Sequence, residues 1–232
     1  MKHIAVIPCR KGSKGIPNKN FREIAGASLY EWSVNAALQT NIFDKIIISS
    51  DGGISGVWVC DDIFTDNNRP PEYATDAAQL EPLLLYYAKM FDADVITLLQ
   101  PTSVLRTSSD ISGAFSVFTE GDFDSVVSVT SVGDKYWHIK RPSFRHVHSY
   151  SESSRLEPCY NPRHRLNRQN PESNYLYYEN GAIYICRRWL LEETTGRIGG
   201  NIGFYEMSQE NSHQIDSLFD WEICERALIA RG

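Results

Sequence analysis

An α/β domain built on a parallel sheet is the fold class this sequence predicts, and three observations carry the prediction. Short apolar, β-branched runs alternate with longer stretches of helical period along most of the chain. The runs are of the buried-strand kind, apolar without a polar face, as in sheets covered by helices on both sides. Polar clusters follow them at residues 9–20, 49–51 and 100–103, where open α/β sheets gather ligands at the carboxyl ends of their strands.

The elements follow in order. "HIAVIP" (3–8) is the first buried strand. "SLYEWSVNAALQT" (28–40) places Leu29, Trp32, Ala36 and Ala37 at helical spacing, with Ser28 suited to the N-cap. "KIIISSD" (45–51) is a β-branched strand that ends in polar residues. "AAQLEPLLLYYAKMF" (77–91) predicts a helix with Pro82 near its first turn, where a missing N–H is tolerated. "DVITLLQPTS" (94–103) is another buried strand, "SSDISGAFSVFTE" (108–120) a helix, and "DSVVSVTSV" (124–132) a strand. "GAIYICRRWLLEE" (181–193) reads as a strand followed by a helix, and "SLFDWEICERALIAR" (217–231) as a closing amphipathic helix. Residues 136–177 differ in texture, being rich in Arg, His, Pro, Ser and Asn with no clear apolar period. Two readings stay open there: a solvated loop, or an excursion ordered by an anionic ligand or a partner surface.

Bulk properties exclude several classes. At 232 residues, 42% hydrophobic and 22% charged, the chain is long enough for a sizeable core, as one domain or a domain with an appendage. A net charge of −6 argues against a general nucleic-acid binder. Five cysteines, odd in number and without CxxC spacing, point to reduced thiols rather than disulfides or a zinc site. No apolar run approaches the ~18 residues of a membrane span, and "MKH" leads straight into a strand. The expected location is therefore the cytoplasm, with no signal peptide.

"IPCRKGSKGIPNKN" (7–20) concentrates the chemistry. It lacks both the GxxxxGK[ST] spacing of a P-loop and the GxGxxG of a dinucleotide fold. Its physics still favours an anion. Gly12 and Gly15 permit backbone approach with exposed N–H groups, Ser13 can donate a hydrogen bond, and Arg10, Lys14 and Lys19 can neutralise several charges. The bland alternative is a basic surface turn, which leaves the clustering behind a buried strand unexplained.

The same stretch resembles the acylneuraminate cytidylyltransferase (CMP-sialic acid synthetase) signature IPARxGSKGIPxKN, with Cys9 where Ala is usual. Further segments resemble the family in its order. They are "ISSDG" (48–52), "RPPEYATDAA" (69–78), "LLQPTSVLRTSSDI" (98–111), "ENGAIYI" (179–185) and "QIDSLFDWEICE" (214–225). The resemblance implies a Rossmann-like domain, mostly parallel and flanked by helices, with 136–177 as a small dimerisation excursion within one 1–232 domain. It also implies a homodimer, with no nucleic-acid or membrane partner. The implied reaction joins CTP to a nine-carbon 2-keto sugar acid with Mg²⁺, releasing pyrophosphate. Sialic acid or a legionaminic-type analogue leads. Pseudaminic acid, KDO, or a relative that binds nucleotide without turnover are the alternatives.

By the same resemblance Arg10, Gly12, Ser13, Lys14, Lys19 and Asn20 hold the triphosphate, with Lys19 or Arg10 at the α-phosphate. Arg69 and Asp76 fall on the nucleotide side, although Thr75 or Asp76 equally suits a helix N-cap. Gln100, Ser103, Arg168, Gln169, Asn180 and Tyr184 face the sugar, Tyr184 being equally a candidate for core packing. Arg106 helps shape that wall or pairs with a nearby carboxylate. Asp216 is the metal ligand, with Asp220 second. Three departures stand out: Gln214 replaces the first carboxylate of the family's "DID", the interval between Arg168-Gln169 and Asn180-Gly181 is stretched without its usual Leu-Pro, and Leu80 replaces a small polar residue.

Overall fold

The computed structural model describes residues 1–12, 15–54, 60–75, 77–131, 136–140, 155–159, 163 and 176–231, with backbone alone at 137–140 and 155–157. The chain divides into two compact units, Met1–Thr130 with Glu179–Gly232, and Ser131–Tyr178. The second unit contains an antiparallel pair of strands, 137–140 and 155–158.

In chain order the strands are β1 (His3–Pro8), β2 (Glu23–Ile24), β3 (Ala27–Ser28), β4 (Lys45–Ser49), β5 (Ile63–Asp66), β6 (Val95–Leu99), β7 (Ser125–Ser131), β8 (Trp137–Lys140), β9 (Arg155–Pro158), β10 (Tyr177–Arg187) and β11 (Ile202–Glu206). The helices are α1 (Leu29–Leu38), α2 (Leu80–Met90), α3 (Ser108–Glu120), α4 (Arg188–Thr194) and α5 (Leu218–Arg231). The main sheet runs β11-β7-β10-β6-β1-β4-β5. β1 pairs in parallel with β4 and β6, β4 with β5 and β7 with β11, while β10 is antiparallel to β6. The mostly parallel α/β class predicted from the sequence is the class observed.

β1 shows why its run is apolar throughout. Ala5 and Ile7 enter one core with Val34 and Ala37 of α1 and Ile111, Ala114 and Phe118 of α3. Ile4 and Val6 enter the opposite core with Leu83, Leu84 and Tyr87 of α2 and Leu190 and Leu191 of α4. A strand sandwiched between two helical layers has no wet face to mark with polar residues. A third cluster ties α5, through Trp221, Cys224 and Leu228, to Ile16, Ile24, Leu29 and Val104.

Helix starts follow their capping chemistry. Ser28 and Glu31 form a capping box on α1, and Thr107 with Asp110 forms another on α3. Pro82 lies in the first turn of α2, whose N-cap is Gln79, so Thr75 does not cap that helix. β5 and β11 escape the sequence pattern because they are edge strands, and all four β5 residues are only half-buried. Among the described residues no helix is long and apolar enough to cross a membrane.

Candidate active site

β1, β4 and β6 end at one edge of the sheet, and a cavity of about 280 Å³ opens there. Its lining unites residues from five separate stretches of chain: Arg10, Gly12, Lys19 and Asn20; Arg69; Leu80; Gln100 to Thr102; and Gln214 with Asp216. Seven of the residues that the sequence nominated therefore meet in one place.

The loop after β1 is strapped down. Cys9 N–H donates to the Ser49 carbonyl (2.7 Å), Lys11 N–H to Asp51 Oδ1 (2.6 Å), and Asn20 Nδ2 to the Arg10 carbonyl (3.2 Å). Asn18 takes a left-handed conformation (φ 53°) before a 3₁₀ turn, Lys19–Phe21. That turn aims Lys19 across the cavity, where Nζ donates to the Ile215 carbonyl (2.6 Å) and to Asp216 Oδ1 (3.1 Å). A Cβ at Gly15 would come within 3.1 Å of the Asp216 carbonyl, so the two segments approach too closely for a larger residue to fit easily. Cys9 lies beneath the loop and is wholly buried, its thiol donating to the Ile7 carbonyl. Burial pushes that thiol far up, partly offset by Arg69, and makes it inert.

Arg69 joins the lining from a buried polar platform. Its Nε donates to Ser49 Oγ (3.0 Å) and its Nη2 to the Ser49 carbonyl. Tyr87 O–H bonds both Ser49 Oγ (2.7 Å) and Asp66 Oδ2 (2.6 Å). Burial lowers the guanidinium from its ordinary value, yet arginine remains a cation at neutral pH. The platform orients a fixed positive charge toward the cavity.

The acidic side is thinner. The Asp216 side chain is 75% exposed, and among the described residues no three metal-ligating side chains cluster. Gln214 Nε2 donates to the Asn180 carbonyl and packs where a side chain at Gly181 (φ 68°) would stand. Asp220 is turned elsewhere. Its Oδ2 accepts from Asp216 N–H, Ser217 N–H and Ser217 Oγ, tying down the entry to α5. Burial alone would raise the Asp220 carboxyl, and those hydrogen bonds outweigh it, leaving the group lowered.

On the expected sugar side, Gln100 lines the cavity, whereas Ser103, Arg106, Asn180 and Tyr184 are buried and absent from its lining. Asn180 is 2% exposed with its amide fully engaged. Oδ1 accepts from Ser128 Oγ and Ala182 N–H, while Nδ2 donates to Ser212 Oγ and Met207 Sδ. Tyr184 O–H lies 3.3 Å from Glu179 Oε2, with the Arg197 guanidinium 4.5 Å from the ring centre. Among the described residues Arg106 makes no ion pair with a carboxylate, and it donates instead to the Gln100 and Ala182 carbonyls and to Ser33 Oγ. Ser13, Lys14, Asp76, Arg168 and Gln169 lie outside the described residues. Sequence reasoning reached Thr102 only as part of the 100–103 cluster and missed the roles of Tyr87 and Asp66 beneath Arg69. Only the position of Ser49 at the end of β4 pointed toward that platform.

A family model described as Cytidylyltransferase matches residues 4–226. N-acylneuraminate cytidylyltransferase of Escherichia coli O18:K1:H7 is 33% identical over 228 residues, covering 96% of this chain and 51% of that protein. N-acylneuraminate cytidylyltransferase A of Danio rerio is 30% identical over 239 residues, covering 100% of this chain and 52% of its own. The chain thus spans about half the length of the curated relatives it matches. Among solved structures, a CMP:2-keto-3-deoxy-manno-octonic acid synthetase complexed with CTP superposes with a TM-score of 0.67 at 17% identity, covering 100% of this chain and 99% of the other. A 4-diphosphocytidyl-2C-methyl-D-erythritol synthase from Anaerococcus prevotii gives 0.61 at 10% identity, covering 98% and 99%. These two likenesses speak to the fold.

Proposed function

This chain belongs to the cytidylyltransferase family, and from that premise we propose that it transfers CMP from CTP to a nine-carbon 2-keto sugar acid of the sialic or legionaminic type. The observation that carries the reading is the convergence of Arg10, Lys19 and Arg69 on one cavity at the sheet's carboxyl edge in an otherwise acidic chain. The anomeric hydroxyl oxygen of the sugar attacks the α-phosphorus. The bond from that phosphorus to the β-phosphate oxygen breaks, pyrophosphate departs, and the hydroxyl proton passes to solvent. Such a reaction asks little covalent chemistry of the protein, so fixed charge and positioning supply the acceleration. Arg10 and the backbone at Gly12 receive the triphosphate, and Lys19 neutralises charge that builds at the α-phosphate. Gln100, able to donate and accept, orients the sugar.

Asp216 is an exposed hard-oxygen donor in the cavity wall, which fits Mg²⁺, an ion that usually keeps several waters and takes only one or two protein carboxylates. Bound there, the ion would offset phosphate charge during displacement. The proposal extends to a homodimer formed through 136–177. A cytoplasmic setting is also proposed, in keeping with five cysteines of which none is disulfide-bonded.

The test is pyrophosphate release from CTP and Mg²⁺ across a panel of 2-keto sugar acids, with GTP as the control nucleotide. Turnover with sialic or legionaminic acid is expected. Turnover only with KDO or pseudaminic acid would move the substrate, and CTP binding without turnover of any acid would overturn the transferase reading.

A further inference from the structure

A second cavity, also about 280 Å³, lies between α1, α3 and α5 and shares no lining residue with the first. Its lining includes the apolar side chains of Trp32, Ala36, Val104 and Leu228 together with two arginines, Arg106 and Arg231, of which Arg106 is the unusual one.

Arg106 is only 3% exposed. Its Nη1 donates to the carbonyls of Gln100 (3.2 Å) and Ala182 (2.7 Å), and its Nη2 to Ser33 Oγ (2.7 Å). Every one of those acceptors is neutral, and among the described residues the buried Nε has no hydrogen-bond partner. Burial lowers the guanidinium to about 9, with Asp110 opposing, so it stays charged at neutral pH. Asp110 is already committed, because its Oδ2 accepts from Thr107 N–H, Thr107 Oγ1 and Asn211 Nδ2. Arg231 donates to the Leu105 carbonyl (2.9 Å) and Asn211 Oδ1 (2.7 Å), again with no carboxylate partner among the described residues. A buried cation whose acceptors are all neutral is rare in folded proteins and calls for a counter-charge. Water supplies no such charge and would gain nothing from the apolar lining.

We propose that this cavity is a binding site for a small organic carboxylate with an apolar body. The carboxylate is taken by Arg106 and Arg231 in charge-assisted hydrogen bonds, and the body packs on Trp32, Val104 and Leu228. The same guanidinium holds the carbonyl of Gln100, a residue of the first cavity's lining, so a single hydrogen bond links the two cavities.

The test is a ¹⁹F NMR titration of the protein with 4-(trifluoromethyl)benzoate and, separately, with its neutral amide. The benzoate should bind saturably and the amide about tenfold more weakly, because it forfeits the charge-assisted bonds. Ala36→Leu, which fills the cavity from α1, should abolish binding, and Arg231→Met should weaken it several-fold while leaving the fold intact. Saturating CTP should leave the signal in place. Equal affinity for the amide, displacement by CTP, or no binding at all would overturn the proposal. So would indifference to both substitutions. Should Ala36→Leu fail to fold, Arg231→Met and the amide comparison decide alone.

Discussion

Lys19 Nζ stands 3.1 Å from Asp216 Oδ1, joining the first loop of the chain to a residue 197 positions later. The Lys19 side chain is 13% exposed and that of Asp216 75%, so solvent screens the pair and its contribution to stability is small. The contact therefore matters for what it brings together: the cation nominated for the α-phosphate and the carboxylate nominated for the metal.

Asp216→Ala tests that separation of stability from chemistry. The unfolding midpoint should move by the equivalent of less than about 1 kcal/mol, as for other exposed pairs. Mg²⁺-dependent pyrophosphate release should fall by about a hundredfold or more, the scale of losing metal-assisted charge stabilisation. Near-normal rates would refute the metal assignment, whatever the effect on stability.

Arg69 makes the opposite demand. Its guanidinium is buried and bonds both Ser49 Oγ and the Ser49 carbonyl, so truncation removes two buried hydrogen bonds and leaves a void. Arg69→Ala should cost roughly 2–4 kcal/mol in urea unfolding and also remove CTP binding, because the same group holds the fold and faces the cavity. A variant of unchanged stability that still binds CTP normally would show that the platform is dispensable.

What the sequence could reveal follows from where each residue's partners lie. β1 and β6 were legible because burial on both faces writes a continuous apolar run. β5 was not, since an edge strand of half-buried residues carries no such mark. Arg10 and Lys19 were legible as an anion site because charge and glycine cluster within fourteen positions, 7–20. Asn180 shows the limit. The family resemblance implies ligand contact there, but its amide is consumed by Ser128 and Ser212, 52 and 32 positions away. Local sequence does not announce which polar side chain finds partners across the core.

Gln214 lies close to that same network, with Nε2 on the Asn180 carbonyl and its side chain in the cavity wall beside Asp216. A neutral amide offers a metal less than a carboxylate does. Gln214→Asp should lower the Mg²⁺ concentration needed for half-maximal turnover by about three- to tenfold, in keeping with tuning of hard-cation sites by ligand charge. It also forfeits the donor to Asn180, so some loss of stability is expected alongside. An unchanged or raised Mg²⁺ requirement in a folded variant would show that position 214 does not face the ion.

His3 supplies a pH prediction far from the site. The ring stacks on Phe115 (4.4 Å between centroids), packs against Phe43 (4.6 Å), and places Nε2 2.7 Å from Thr97 Oγ1. Burial lowers its pKa to about 4, outweighing the raising effects of the Ile42 backbone and Asp44. In the folded chain His3 therefore stays neutral as the pH drops from 7, while the unfolded chain takes up a proton near its ordinary value of about 6.5. Below that value the unfolded state binds more protons, so stability falls with pH between about 6.5 and 4 and then levels off for this group. The loss is on the order of 3 kcal/mol for a buried imidazole held neutral over that range. Replacing the pair by His3→Phe with Thr97→Val keeps the ring packing and removes both polar partners. Carboxylates titrate in both proteins, so the difference between them isolates His3. Urea unfolding at pH 7 and pH 4.5 should show the wild type losing stability faster than the double variant. Parallel losses would mean that His3 accepts its proton inside the fold.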